Sequence, residues 1–248
     1  MASAARAARY GQAGSTVTGR PGPEIVPLEM AEFRFADDEP LAGQVGVVMA
    51  YVVRHRRGML LFDTGFGFDN AELDARYRIR ARRLPEALAV EAIALSDIGA
   101  VVNCHLHVDH AGQNSLFPGI PIVVQRAEWE IAHTTDHTIL EWIDFPGANY
   151  ELIVGDYEPF EGIRVVATPG HTPGHQSLVV ENEEGLDVIC GQAVYTAAEW
   201  AGDADAREGR SRAPDQAAYD RSLERLRALD PVRVFFGHDR HHWASPAT

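Results

Sequence analysis

A chain of 248 residues suits one large domain or two small ones and supports a full hydrophobic core, and 46% apolar residues with 8% aromatics is an ordinary globular composition. The formal charge of −14, from 22 basic and 36 acidic side chains, repels phosphate backbones and argues against nucleic acid as a partner, while no apolar run approaches the ~20 residues of a membrane span. Two cysteines, Cys104 and Cys190, make no disulfide framework, so a reducing cytoplasm is the expected compartment.

Residues 1–20 are rich in Ala, Gly and Arg without an apolar signal core, and read as a flexible N-terminal arm ahead of a single domain over 21–248. Glu24 to Phe35 predicts one or two short strands broken at Pro27. Gln44 to Arg54 and Met59 to Phe62 predict a hairpin around Arg56-Arg57-Gly58, which runs into the loop Asp63-Thr64-Gly65-Phe66-Gly67. Ala71 to Leu95 reads as helical, interrupted around Pro85. Ile98 to Val102 predicts a buried strand leading into Asn103-Cys104-His105-Leu106-His107-Val108-Asp109-His110. A strand over Pro121 to Gln125 and a helix over Arg126 to His133 precede an irregular segment, Thr134 to Tyr150, that carries His137 and has the length of a substrate lid.

The second half repeats the alternation. A strand over Gly162 to Ala167 ends in Thr168-Pro-Gly-His171-Thr-Pro-Gly-His175. Gln176 to Val180 and Leu186 to Cys190 predict a hairpin, Asp215 to Leu229 an amphipathic helix, and Val232 to Phe236 a last strand ending in Gly237-His238-Asp239. Two similar halves with loops gathered at strand ends predict an α/β fold, a four-layer αββα sandwich. Four potential ligands, His105, His107, Asp109 and His110, fall within six residues at the end of a buried strand, which points to a metal site. His171, the Gly191-Gln192 corner and His238 lie at three further strand ends, and convergence of such ends assembles a site from distant sequence.

Asp63-Thr-Gly65, His105-Leu-His107-Val-Asp109-His110, the segment from Thr168 to His175, and Gly237-His238 together resemble the metallo-β-lactamase superfamily from about Val45 to Asp239. Within it the spacing is most similar to the N-acyl-homoserine lactonase group. The resemblance implies a two-zinc centre, with His105, His107 and His171 on one ion and Asp109, His110 and His238 on the other. It also implies that Asp63 orients a ligand from behind. His175 is expected to be a hydrogen-bonded framework residue, and His55, His241 and His242 to face solvent. The resemblance leaves a homodimer open.

One position departs from the family. Gln192 stands where an aspartate bridges the two metals, and Tyr195, three residues on, keeps the register of the lactonases' tyrosine. An amide oxygen is a weaker donor and bridges poorly, so Gln192 is expected to be a weak metal contact or site lining, and the second zinc to bind less tightly. Cys190 and Cys104 are expected to be buried structural thiols. The implied activity is hydrolysis of a lactone or ester of a small molecule by metal-activated hydroxide, with Tyr195 hydrogen-bonding the carbonyl and Asp109 moving a proton to the leaving alkoxide. A thioesterase or glyoxalase II-like hydrolase, and a non-catalytic metal-binding relative, are the alternatives. Phe66, Phe68, Trp142, Phe145 and Trp200 are candidates either for an apolar acyl pocket or for the core.

Overall fold

The β-branched run at the heart of the first half forms β2 (Val45–His55), between β1 (Glu24–Arg34) and β3 (Gly58–Phe62), all antiparallel. Met49, Tyr51 and Val53 of β2 face one core while Val48, Ala50 and Val52 face another, so both faces of the strand are buried. That explains why its sequence is nearly continuous apolar and not alternating. In the computed structural model, residues 22–39, 41–203, 206 and 212–246 are described, so the arm expected over 1–20 lies outside the described residues.

Parallel strands β5 (Ile98–Val102), β6 (Pro121–Gln125) and β7 (Asn149–Ile153) extend the sheet beyond β3, and β4 (Arg80–Ala81) caps its other edge. The second sheet holds β8 (Tyr157–Phe160), β9 (Ile163–Ala167), β10 (Gln176–Asn182), β11 (Gly185–Ile189), β12 (Arg233–Phe235) and β13 (Trp243–Ala244). The described helices are α1 (Ala71–Tyr77), α2 (Leu84–Val90), α3 (Val108–Ala111), α4 (Arg126–Ala132), α5 (Leu140–Ile143), α6 (Ala197–Ala201) and α7 (Gln216–Arg227). Asp215 caps α7, its carboxylate accepting from Ala218 N at 2.8 Å.

Three apolar clusters define the layers. Leu84, Ala87 and Leu88 of α2 pack on the outer face of the first sheet. Tyr51, Phe62 and Val102 meet Ile163, Val165 and Leu178 between the sheets. Trp200 of α6 and Leu226 of α7 cover Val179, Val188 and Val234 on the outer face of the second. This is the expected αββα sandwich, and the two sheets are also tied by Tyr51, whose hydroxyl donates to Phe236 O at 2.6 Å.

Two local expectations are corrected, and one pair of strands goes beyond them. Pro27 does not break β1, because β4 pairs only with Ala31 and Glu32 and Pro27 lies where β1 is an edge strand. The stretch 71–95 forms two short helices separated by β4 in place of one interrupted helix. β7 and β8 were not distinguished in the sequence, since their half-buried faces mix polar with apolar residues.

Candidate metal centre

The ends of β3, β5, β9, β11 and β12 deliver the loops that build the site, and backbone hydrogen bonds lock those loops together. Asp63 N donates to Val102 O at 3.0 Å, Gln176 N to Cys104 O at 2.8 Å, and Gly237 N to Gly191 O at 2.8 Å. Asp63 sits at φ 64°, a conformation uncommon outside glycine and asparagine or aspartate, which turns its carboxylate back under the β5 loop. The helix α3 starts at once after His107 and ends at Gly112, where a Cβ would lie 1.9 Å from Gly67 N. Only glycine lets this turn press against the 65–67 loop.

The sequence-predicted ligands come together in two groups. His105 Nε2 lies 2.9 Å from His107 Nδ1, and His171 Nε2 lies 3.2 Å from the same atom. In the second group, His110 Nε2 lies 3.3 Å from His238 Nε2 and 3.3 Å from Asp109 Oδ2, which is 3.7 Å from His238 Nε2. The groups adjoin: donor atoms of His105, Asp109 and His110 all lie within 4.8 Å of one another.

The opposite nitrogens of four of these rings are held by the protein. His238 Nδ1–H donates to Val47 O at 2.8 Å and His110 Nδ1–H to Asp63 Oδ2 at 2.9 Å. His171 Nδ1–H donates to Arg212 O at 3.3 Å, and His105 Nδ1 lies 3.0 Å from Cys104 Sγ. The three contacts to oxygen fix tautomers that leave the inward nitrogen with its lone pair, the arrangement a metal-ligating imidazole requires. Burial also pushes the His105, His107 and His171 imidazoles well below their ordinary values, and His238 down to about 4. His110 goes the other way: burial opposes its charge, but Asp109, Cys104 and Asp63 outweigh it.

His175 takes the framework position. Its Nε2 accepts from Gln192 N at 3.0 Å and its Nδ1 lies 2.9 Å from Thr168 Oγ1, so both nitrogens are used within the protein. Cys190 is a buried thiol donating to Phe235 O at 3.1 Å. Cys104 does more than fill space: its Sγ is 3.0 Å from Asp63 Oδ2 and 3.3 Å from His110 Nδ1, behind both ligand groups. Exposed His241 and His242 take no part, whereas half-buried His55 stacks on Phe160, against the expectation for it.

A metallo-beta-lactamase superfamily domain model matches residues 43–238. The chain belongs to this superfamily. It is 34% identical to an N-acyl homoserine lactonase of a Bacillus species, over 77% of this chain and 81% of that protein. It is 32% identical to the enzyme of the same description from Bacillus thuringiensis subsp. kurstaki, with the same coverage. A solved N-acyl homoserine lactone hydrolase, with its product N-hexanoyl-L-homoserine at the catalytic metal center, superposes with a TM-score of 0.71. That structure is 26% identical and covers 90% of this chain and 95% of its own.

Against the superfamily pattern, Gln192 is the informative residue. It is buried, and its Oε1 has no hydrogen-bond partner among the described residues. A buried carbonyl left unpaired costs about 1–3 kcal/mol, so an oxygen retained in that state fits a cation as its missing partner. Tyr195 stacks on His238, ring centroids 4.3 Å apart and planes 16° apart, and none of the described hydrogen bonds uses its hydroxyl.

These groups face a cavity of about 250 Å³ lined by Phe33, Phe66, Tyr77, Asp109, Tyr195 and Arg212, among others. A second cavity of about 310 Å³ shares His107, His137, His171 and Arg212 with it. Of the five aromatic candidates only Phe66 lines the first cavity. Arg83 covers Phe68, Trp142 packs over Gly67, Phe145 joins the first core, and Trp200 belongs to the third. Sequence reasoning missed Phe33, Tyr77 and Arg212, which no motif marks. It also missed Glu128, which is fully buried and accepts from Leu106 N, Thr172 Oγ1 and His137 Nε2 at 2.9, 2.6 and 2.7 Å. His137, from the expected lid segment, is thereby held with its ring centroid 4.3 Å from that of His107, the planes tilted by 47°.

Proposed function

We propose that the chain is a metal-dependent hydrolase that opens lactones or cleaves esters of small molecules, in the manner of an N-acyl homoserine lactonase. The observation that carries the reading is the convergence of six donor atoms in two adjoining groups, together with the orphaned Gln192 oxygen, in a chain about a third identical to such lactonases. Two imidazole-rich groups of this kind suit zinc, His105, His107 and His171 holding one ion and Asp109, His110 and His238 the other. Bound there, zinc lowers the pKa of water toward about 7 and so supplies hydroxide at neutral pH.

The protein's own groups do the rest. The substrate sits with its ester carbonyl toward the Tyr195 hydroxyl, which donates a hydrogen bond as negative charge builds on the oxygen. Attack of hydroxide on the carbonyl carbon is followed by breakage of the carbon–oxygen bond to the leaving alkoxide. Asp109, lining the cavity at the edge of the second donor group, takes the proton that came with the hydroxide from the newly formed acid and passes it to the alkoxide, so the product is a hydroxy-carboxylate. Gln192 contributes a neutral oxygen, so the second ion is held less tightly than the first. The two free cysteines fit a reducing compartment such as the cytoplasm.

Turnover of a panel of lactones, esters and thioesters, with and without chelator, tests the reading. Chelator-sensitive lactone hydrolysis supports it, and a preference for thioesters moves the assignment to the glyoxalase II-like class. Metal-loaded protein that turns over none of the three leaves a non-catalytic metal-binding relative.

A further inference from the structure

Arg212 is the permanently charged cation in the lining of the 250 Å³ cavity among the described residues. Three contacts fix its guanidinium. Nη1 donates to Glu39 Oε2 at 2.9 Å, and Cζ lies 5.1 Å from the Phe35 ring centroid and 5.8 Å from that of Tyr195. Glu39 is itself held by the Tyr77 hydroxyl at 2.9 Å. The backbone oxygen of Arg212 accepts from His171, which ties the residue to the first donor group. The guanidinium is therefore positioned, not adrift in solvent.

One edge of it has no partner among the described residues: Nε is buried without a hydrogen bond to any of them, and no described hydrogen bond uses Nη2. Glu39 engages only Nη1, which leaves the Nε–Nη2 edge, the side that pairs two parallel N–H groups with the two oxygens of a carboxylate. A buried, charged N–H with no acceptor costs more than its neutral counterpart, so an apolar wall would serve better here if the cavity took only neutral ligands. Gln192 biases the cavity the same way, since an amide there removes a negative charge from the space the substrate enters.

We infer that Arg212 is a specificity-determining residue whose free Nε–Nη2 edge takes a carboxylate carried by the substrate, so that the preferred ester or lactone is anionic. The inference rests on the hydrolase reading for the scissile bond but not for the carboxylate contact. Aromatic Phe33, Phe66 and Tyr77 cover the intervening methylenes, and the carboxylate docks at a fixed offset from the hydrolytic centre.

A matched pair of lactones tests this: N-glutaryl homoserine lactone, whose acyl chain ends in a carboxylate, and its terminal primary amide. The expected result is a preference of at least tenfold in kcat/KM for the carboxylate member, expressed mainly in KM. In Arg212→Gln, and in Arg212→Met should the first variant fold poorly, that preference ratio falls at least tenfold; Arg212→Lys, a point charge without the fork, restores only part of it. Equal use of the two lactones by the unaltered protein, or a preference that survives in the variants, overturns the inference. Calorimetric titration with glutarate gives a readout without turnover: the unaltered protein binds it at least tenfold tighter than Arg212→Gln, and equal binding again overturns the inference. If no lactone or ester is hydrolysed but glutarate binding still depends on Arg212, the hydrolase reading fails and the carboxylate site stands.

Discussion

Gln192 N donates to His175 Nε2 across 3.0 Å, and with the bond from Gly237 N to Gly191 O it holds the corner from which the Gln192 side chain enters the metal centre. Because His175 is in turn held by Thr168 Oγ1, the corner keeps its shape whatever side chain stands at 192. Gln192→Asp therefore changes the donor and little else. It restores a carboxylate that can share its two oxygens between two cations, in a pocket where Oε1 has no partner among the described residues. We expect the variant to bind the second zinc at least tenfold more tightly, with a metal content closer to two ions per chain, by elemental analysis and chelator competition. Equal affinity and content in both proteins would show that the amide already does the work of the acid.

Asp63 acts on the same centre from behind. Its Oδ2 takes His110 Nδ1–H at 2.9 Å and the Cys104 thiol at 3.0 Å, while Oδ1 takes Cys104 N at 2.7 Å. Asparagine tolerates the positive φ at this position as well as aspartate does, so Asp63→Asn removes charge without straining the turn. The expected loss is about 10–100-fold in affinity for the ion held by His110, the usual range for an outer partner of a ligating histidine. Chelator competition measures it. An unchanged affinity would mean that the hydrogen bond, and not the charge, orients His110.

The ligand cluster was legible because it is local: four donors in six residues at the end of a buried strand announce themselves, and His171 and His238 follow at equivalent strand ends. The sandwich was legible for the same reason, since runs such as Val45 to Val53 are apolar on both faces only when covered on both. The substrate cavity was not. Phe33 reaches it from β1, Tyr77 from α1 and Arg212 from the segment before α7, and nothing in their neighbours' identity says that these three side chains converge. Nor did the sequence reveal Cys104 as a partner of Asp63, since a buried thiol reads the same whether it fills a core or backs a metal site.

Glu128 is the second buried carboxylate whose loss should be felt at the centre. Burial raises its pKa, but the hydrogen bond and charge of His137, the Thr172 hydroxyl and Leu106 N outweigh that and leave it lowered. A depressed carboxylate contributes stability that is present above the unfolded value of about 4.3 and lost as pH falls through the folded one. Glu128→Ala orphans three buried donors and should destabilise the chain by about 3 kcal/mol near neutral pH. Thermal unfolding across the acid range should show the gap between the two proteins narrowing below about pH 4. A gap independent of pH would assign the loss to packing alone.

Tyr195 separates binding of the metals from use of them. Its ring stacks on His238 at 4.3 Å, the residue lines the cavity, and none of the described hydrogen bonds uses its hydroxyl. Tyr195→Phe keeps the stacked ring, so metal content should stay at the level of the unaltered protein. Only the hydrogen bond to the developing oxyanion is lost, and removal of one such donor costs on the order of 100-fold in kcat. Because that bond strengthens as charge develops, the loss should fall on kcat more than on KM. A variant that loses zinc along with activity would make Tyr195 a brace for His238. One that keeps both would return it to the wall of the pocket and leave the carbonyl to the metals alone.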